Sequence, residues 1–357
     1  MKTNVCLIVY SLIVALSFSA CKGKGSAFQP TSTGAPYEVL VVIDLGMWER
    51  PAGRAIYNAL DADMIGLPQS EPWFKIMYTS PGNFDSFLKP VRNIIVVDVN
   101  KNAYTQAKYV ASKNVYAAPQ AVLTIQAPTE DALETFVNEH KQAMLDYFTR
   151  AEINAQLLGL ESSHSMMVEE KVKSMFGYDI WAPTSLQYFK TGKNFLWAST
   201  NTAMNDMNLV IYSYPYTDKR TFTKDFLVHK RDSVMGKNLP GSYENSFMST
   251  DSRTVTVKSG TMQNAYFMEI RGLWRMTGND FMGGPFVSYT RIDEVNQRVV
   301  TAELFIYSPN RNKRRLVRTM EATLASLRLP SEQQRPQLTD TITTPTNPNN
   351  TVAKNGE

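Results

Sequence analysis

Residues 37–44, YEVLVVID, place valine, leucine and isoleucine on both faces of an extended segment. A run that is apolar on both sides belongs in the middle of a covered sheet, so it is the expected first strand and a central one. A helix is expected over about 51–62, with Pro51 suited to a first turn that needs no backbone N–H. Gly66-Leu67-Pro68 breaks the chain. Over 73–79, Trp73, Lys75 and Met77 alternate with Phe74, Ile76 and Tyr78, which is a strand period. Residues 93–99 (NIIVVDV) and 121–127 add two more strands. Thr129 is placed to cap the next helix, with Glu130 and Asp131 in its first turn, where the helix dipole favours acids. Leu133, Phe136, Val137, His140, Met144, Tyr147 and Phe148 then fall on one helical face. Gly159 loosens that helix, and a shorter one over about 165–176 stops at Gly177.

The second half begins near Tyr178. A strand is expected at 209–214, a charged helix at 222–235, and strands around Val255, Val257 and 266–276. Gly278-Asn279-Asp280 and Gly283-Gly284-Pro285 are turn signals. Residues 286–292 and 299–307 pair as a hairpin across 293–297. Ser308-Pro309 reads as a helix start, and Leu316, Val317, Met320, Leu324 and Leu327 form the last amphipathic stripe. After Pro330 almost no apolar residue remains, and such a segment buries too little surface to offset its ordering entropy.

The halves echo each other. Positions 136, 137, 140, 144 and 147 of the first closing helix match 316, 317, 320, 324 and 327 of the second at one shift. The expectation is an α+β protein of two similar halves, each a mainly antiparallel sheet with helices packed on one face. The shared period of all amphipathic helices is the competing explanation. The expected plan is a signal peptide at 1–20, a lipidated tether at 21–36, units at 37–177 and 178–329, and a disordered tail at 330–357.

The opening, MKTNVCLIVYSLIVALSFSAC, changes the picture. Lys2 supplies a positive start and the apolar run that follows is too short to span a bilayer, which needs ~20 residues. Phe18-Ser19-Ala20-Cys21 resembles a bacterial lipobox, which implies diacylglycerol on the Cys21 sulfur and cleavage before it. An ordinary signal peptide cut after Ala20 is the alternative. Acyl chains on one residue anchor a protein stably, at ~0.8 kcal/mol per buried CH₂. Lys22-Gly23-Lys24-Gly25 holds no acid, whereas surface-exported lipoproteins of Bacteroidetes carry an acidic run there. The expected address is the periplasmic face of the outer membrane.

Composition adds exclusions. The 357 residues are 43% hydrophobic and 20% charged, as in a globular body of one or two domains. The net charge of +4, part of it from Lys2 in the leader, is too mild to argue for nucleic acid. With Cys6 in the leader and Cys21 lipidated, the mature chain has no thiol for a disulfide, a nucleophile or a metal site. No HExxH, GxSxG, P-loop or helix-opening GxGxxG occurs, so neither metal nor cofactor is expected. Of the three histidines, His140 reads as core, His164 as a polar loop residue and His229 as solvent-facing.

Two features carry possible chemistry. Asp44, Glu49, Glu269, Asp280, Asp293 and Glu303 sit at expected strand ends or turns, and a glycosidase needs only two facing carboxylates. That is the basis for the alternative of a hydrolase acting on glycan or peptidoglycan. Residues 271–286 mix Trp274, Met276, Phe281 and Met282 with Arg271, Arg275 and Asp280 around glycines. Rigid aromatics beside arginine suit a binding surface, so Arg271, Trp274, Arg275, Asp280 and Phe281 are the candidate binding residues. The competing reading is a hairpin whose aromatics are core. Arg311, Lys313, Arg314, Arg315 and Arg318 set positive charge at a helix start, against the dipole. That hints at an anionic headgroup or an acidic partner, with a solvated face as the alternative.

GAPYEVLVVID, GLPQSEPWF, RNIIVVDV, GLWRMTGNDFMGGPFVSY and YSPNRNKRRLVRTMEATLASL together resemble an uncharacterised lipoprotein family of Bacteroidetes, domain of unknown function 4837, over about 27–330. The resemblance implies a lipid-anchored envelope protein and brings no activity or catalytic residue. The expected function is non-enzymatic binding or scaffolding at the envelope, with the membrane, an envelope protein or a cell-wall component as partner.

Overall fold

The computed structural model describes residues 29–262, 265–278 and 280–333. The expected leader, Cys21, the start of the tether and the tail after residue 333 lie outside the described residues.

The first sheet holds β1 (Glu38–Val42), β2 (Lys75–Thr79), β3 (Asn93–Val99), β4 (Lys108–Lys113) and β5 (Ala121–Ala127), in the order β2-β1-β3-β5-β4. β1 runs parallel to β2 and β3, and β3 parallel to β5. Only the edge strand β4 is antiparallel. The α+β class stands, but this sheet is mainly parallel rather than antiparallel. Its doubly apolar strands are the mark of a parallel sheet covered on both faces. On one face, α2 (Pro51–Leu60) and α3 (Glu130–Ser162) bring Ile56, Leu60, Leu133, Val137 and Phe148 onto Val39, Val41, Ile95 and Leu123. On the other, Leu40, Val42, Ile94 and Val122 are covered by Phe84, Leu88, Val91 and Tyr116 from loops. The short α1 (Leu45–Trp48) precedes α2. Thr129 caps α3 as expected, its hydroxyl accepting from the Ala132 N–H.

The second sheet holds β6 (Tyr188–Gly192), β7 (Phe195–Ser199), β8 (Asp206–Pro215), β9 (Met248–Met262), β10 (Ala265–Met276), β11 (Gly283–Asp293) and β12 (Arg298–Tyr307). It is antiparallel throughout, in the order β6-β7-β8-β12-β11-β10-β9. The β11–β12 hairpin forms where the sequence places it, closed by Asp293 opposite Arg298. Helices cover both faces here, not one. α4 (Met166–Phe176) and α6 (Arg314–Ser326) lie on one side through Val168, Val172, Val317, Met320 and Leu324. α5 (Lys224–Asn238) covers the other through Leu227 and Met235. The cause is in β8, β11 and β12, whose residues are almost continuously buried and so need cover on both sides. The two sheets differ in direction, strand order and cover, so the halves are not two copies of one unit. The matching stripes reflect the common helical period.

α6 begins at Arg314, not at Ser308-Pro309. Its first N–H groups are met by a carboxylate from the other half: Glu71 Oε1 accepts from Lys313 N at 2.7 Å and Oε2 from Arg314 N at 3.0 Å. Lys313 Nζ reaches Gln69 Oε1, and Arg314 Nη1 donates to the Pro72 carbonyl. The Arg318 guanidinium lies over the rings of Tyr37 and Trp73, 4.7 and 4.8 Å from their centroids. Much of the basic run therefore seals the seam between the sheets, with Arg311 and Arg315 left exposed.

Both ends of the described chain are tied down further than expected. Thr31 and Thr33 bridge to Ala118 and Val91, so half of the stretch expected as a tether lies against the body. Glu332, placed in the expected tail, is buried and paired with Arg291.

Candidate functional site

The five residues expected to bind do not share one surface. Arg271 is buried and ion-paired, with Nε 2.6 Å from Glu269 Oε1 and Nη2 2.5 Å from Glu321 Oε1. Trp274 is buried against Phe305, its Nε1 donating to the Ile306 carbonyl at 3.2 Å. Asp280 is buried and accepts from the N–H groups of Ser242 and Met282. Arg275 is exposed, and Phe281 is 99% exposed. Arg271, Trp274 and Asp280 thus hold the fold. The rim of Trp274, with Arg275 and Phe281, borders an open groove of about 470 Å³ facing Pro68, Gln69 and Lys313. Gly284 serves the sheet: a Cβ there would meet the Ile306 carbonyl oxygen at 2.0 Å.

The acids offered for hydrolysis are structural or exposed. Asp44 caps α1 through the N–H groups of Gly46 and Met47, and Glu49 is exposed. Glu303 is fully buried and grips Arg231 through both oxygens. Burial raises the Glu303 carboxyl above the usual range against the pull of Arg231. Asp293 accepts from Tyr178 Oη, Asn296 and Arg298. Burial alone would raise its carboxyl, but the bonds from Asn296, Tyr178 and Arg298 hold it below the usual range. His140 is bonded to the Phe136 carbonyl and stacked on that ring, His164 sits between the Leu160 carbonyl and Glu169, and His229 is exposed. Among the described residues no cluster of three or more His, Cys, Asp or Glu could hold a metal ion.

The structure adds a site that the sequence reading missed. A cavity of about 340 Å³ lies where β3 and β5 begin, beside the last third of α3. Its charged members are Arg92, Lys113, Glu152 and Glu161. The Glu152 side chain is 1% exposed. Its Oε1 accepts from Asn93 Nδ2 and lies 2.9 Å from Arg92 Nε. Oε2 has no hydrogen bond, although the Tyr37 backbone N–H is near enough to favour the charged form. Burial dominates and raises the carboxyl, against Arg92 and Asn93. Leaving a buried polar atom unpaired costs about 1–3 kcal/mol, so this oxygen asks for a partner.

Local structure holds the rim. Asn114 turns the chain between β4 and β5 with a left-handed backbone (φ 51°), and its Oδ1 accepts from Gln120 N. The Gln120 amide donates to the Lys89 and Val91 carbonyls and accepts from Tyr116 N. Ala151, Ala155, Leu157 and Leu158 supply an apolar wall. The signal for this site lay in the spacing. Met144, Phe148 and Glu152 follow at four-residue intervals, so a carboxylate continues the apolar face of α3.

Among the described residues no helix is long and apolar enough to cross a membrane. No curated protein matches the chain. The likeness to domain of unknown function 4837 is narrower than the sequence motifs imply, for its family model matches residues 165–326, while residues 32–160 match a different one, domain of unknown function 8532. Two parts of the chain thus match family models of unknown function, residues 32–160 holding the parallel sheet with most of α3 and residues 165–326 holding α4, the antiparallel sheet and α6.

Proposed function

We propose that this chain is a lipid-anchored, periplasm-facing envelope protein that binds a ligand in the cavity beside Glu152. The observation that carries the binding is the Glu152 carboxylate, buried in a cavity wall with one oxygen lacking a hydrogen bond. The envelope address is supported by the leader and by Cys21 in its lipobox setting. Placement supports joining the two. Gln29 Nε2 donates to the carbonyl of Asn114, a lining residue of the cavity. Cys21 stands eight positions before Gln29, so an acylated Cys21 lies at most about 28 Å from Gln29, whose side chain meets this rim.

Metabolic labelling with a clickable palmitate tests the anchor. The natural chain is labelled and sediments with membranes, while Cys21→Ser is unlabelled and released. An unlabelled natural chain, or a Cys21→Ser variant that stays with the membrane, overturns the address.

A further inference from the structure

We infer that the cavity takes a phospholipid headgroup bearing both a phosphate and a primary amine, drawn from the bilayer to which the chain is anchored. The membrane source rests on the function proposed above; the headgroup chemistry rests on the cavity itself.

Charge comes first. Two cations, Arg92 and Lys113, and two acids, Glu152 and Glu161, line one small space. A simple anion meets the acids there and a simple cation meets Arg92 and Lys113. A zwitterion satisfies both. Hydrogen bonding narrows the choice. Glu152 Oε2 lacks a hydrogen bond but is closed off from solvent, so a ligand meets it only when the side chain turns into the cavity; there a primary ammonium brings three donors, whereas a quaternary ammonium brings none. Arg92 and Lys113 supply the donors that a phosphate accepts.

Size and polarity agree. A volume of about 340 Å³ lies at the low end of small-ligand sites, enough for a headgroup and its glycerol but not for a whole lipid. The acyl chains must then stay outside. Leu158 lines the cavity and is 57% exposed, an apolar surface fitted to the glycerol and first methylenes. Position agrees as well, since Gln29, eight positions after Cys21 in the sequence, bonds to the Asn114 rim.

The test uses the full mature chain in detergent, titrated calorimetrically with glycerophosphoethanolamine, glycerophosphocholine and glycerophosphoglycerol. The expected result is binding of the first about tenfold tighter than the other two, with that preference lost in Glu152→Gln. Equal affinities, or no binding of any of the three, overturn the headgroup assignment. Should Glu152→Gln fail to fold, Lys113→Ala at an exposed position is read instead, and affinity for the ethanolamine compound unchanged from the natural chain counts against the proposal.

A second arm anchors the chain in vesicles. Hydrogen exchange over residues 113–121 is expected to slow with phosphatidylethanolamine and not with phosphatidylglycerol alone. Selective calorimetric binding without that slowing overturns the bilayer as source and leaves the headgroup chemistry standing. A palmitate-labelled protein without selectivity overturns the headgroup and leaves the anchor standing.

Discussion

Glu71 of the first half closes the N-terminus of α6 in the second, accepting from the Lys313 backbone N–H at 2.7 Å. An acid here does what the helix sequence does not, since α6 opens on Lys313, Arg314 and Arg315. The two sheets are thereby joined through a helix cap. Glu71→Ala is expected to lower stability by about 1–2 kcal/mol, measured by denaturant unfolding. An unchanged midpoint would mean that the seam does not depend on this cap.

Arg271 bridges Glu269 and Glu321 in a buried cluster. Removing one partner of such a cluster leaves a buried charge uncompensated, at about 3–5 kcal/mol. Arg271→Leu should therefore be strongly destabilised in the same unfolding assay. Retained stability would return Arg271 to the pool of binding candidates.

Trp274 and Phe281 separate core from surface within one stretch. Trp274→Ala should cost about 3–5 kcal/mol, as for a truncated core aromatic. Phe281→Ala should stay within about 0.5 kcal/mol of the natural protein. Gly284→Ala places a methyl against the Ile306 oxygen that Trp274 Nε1 uses, and should cost about 1–3 kcal/mol. Thermal unfolding of the three variants checks the order.

Glu152 and Glu321 respond to pH in opposite senses. The Glu152 carboxyl is raised in the folded state, so its favourable contribution is complete below its unfolded value and is lost as pH rises through the folded one. Burial would raise Glu321 too, but Arg271 and Arg318 hold it low. Its contribution is present above the unfolded value and is lost as pH falls through the folded one. Between about pH 4 and 7, Glu152→Gln should therefore gain on the natural protein as pH rises, whereas the lead of the natural protein over Glu321→Gln should hold steady there and shrink as pH falls below about 4. Unfolding free energies across both ranges decide it, and parallel behaviour of the variants would contradict the assignments.

The elements that the sequence disclosed are those whose local pattern suffices. The valine-rich runs became β1 and β3, the stripe after Thr129 became α3, and Asp293–Arg298 closed a hairpin. Partner and direction were not legible, because a strand apolar on both faces records that it is covered and not which way its neighbour runs. β4 (KYVASK) and β6 (YFKTG) are short edge strands with polar positions, so their period is weak. At the proposed site, Glu152 looks like one more charge on a long helix until its place on the Met144–Phe148 face is noticed. Arg92, Asn93 and Lys113 come to it from strand ends, a meeting that no local spacing encodes. Arg271 and Trp274 looked like binding groups because buried and interfacial arginines and tryptophans share one composition.

The most direct measurement is native mass spectrometry of the full chain extracted gently from its membrane. The account predicts one bound phospholipid with an amine headgroup on the natural protein and its loss from Glu152→Gln. A natural protein that flies without lipid, or the same lipid complement on both proteins, would contradict it.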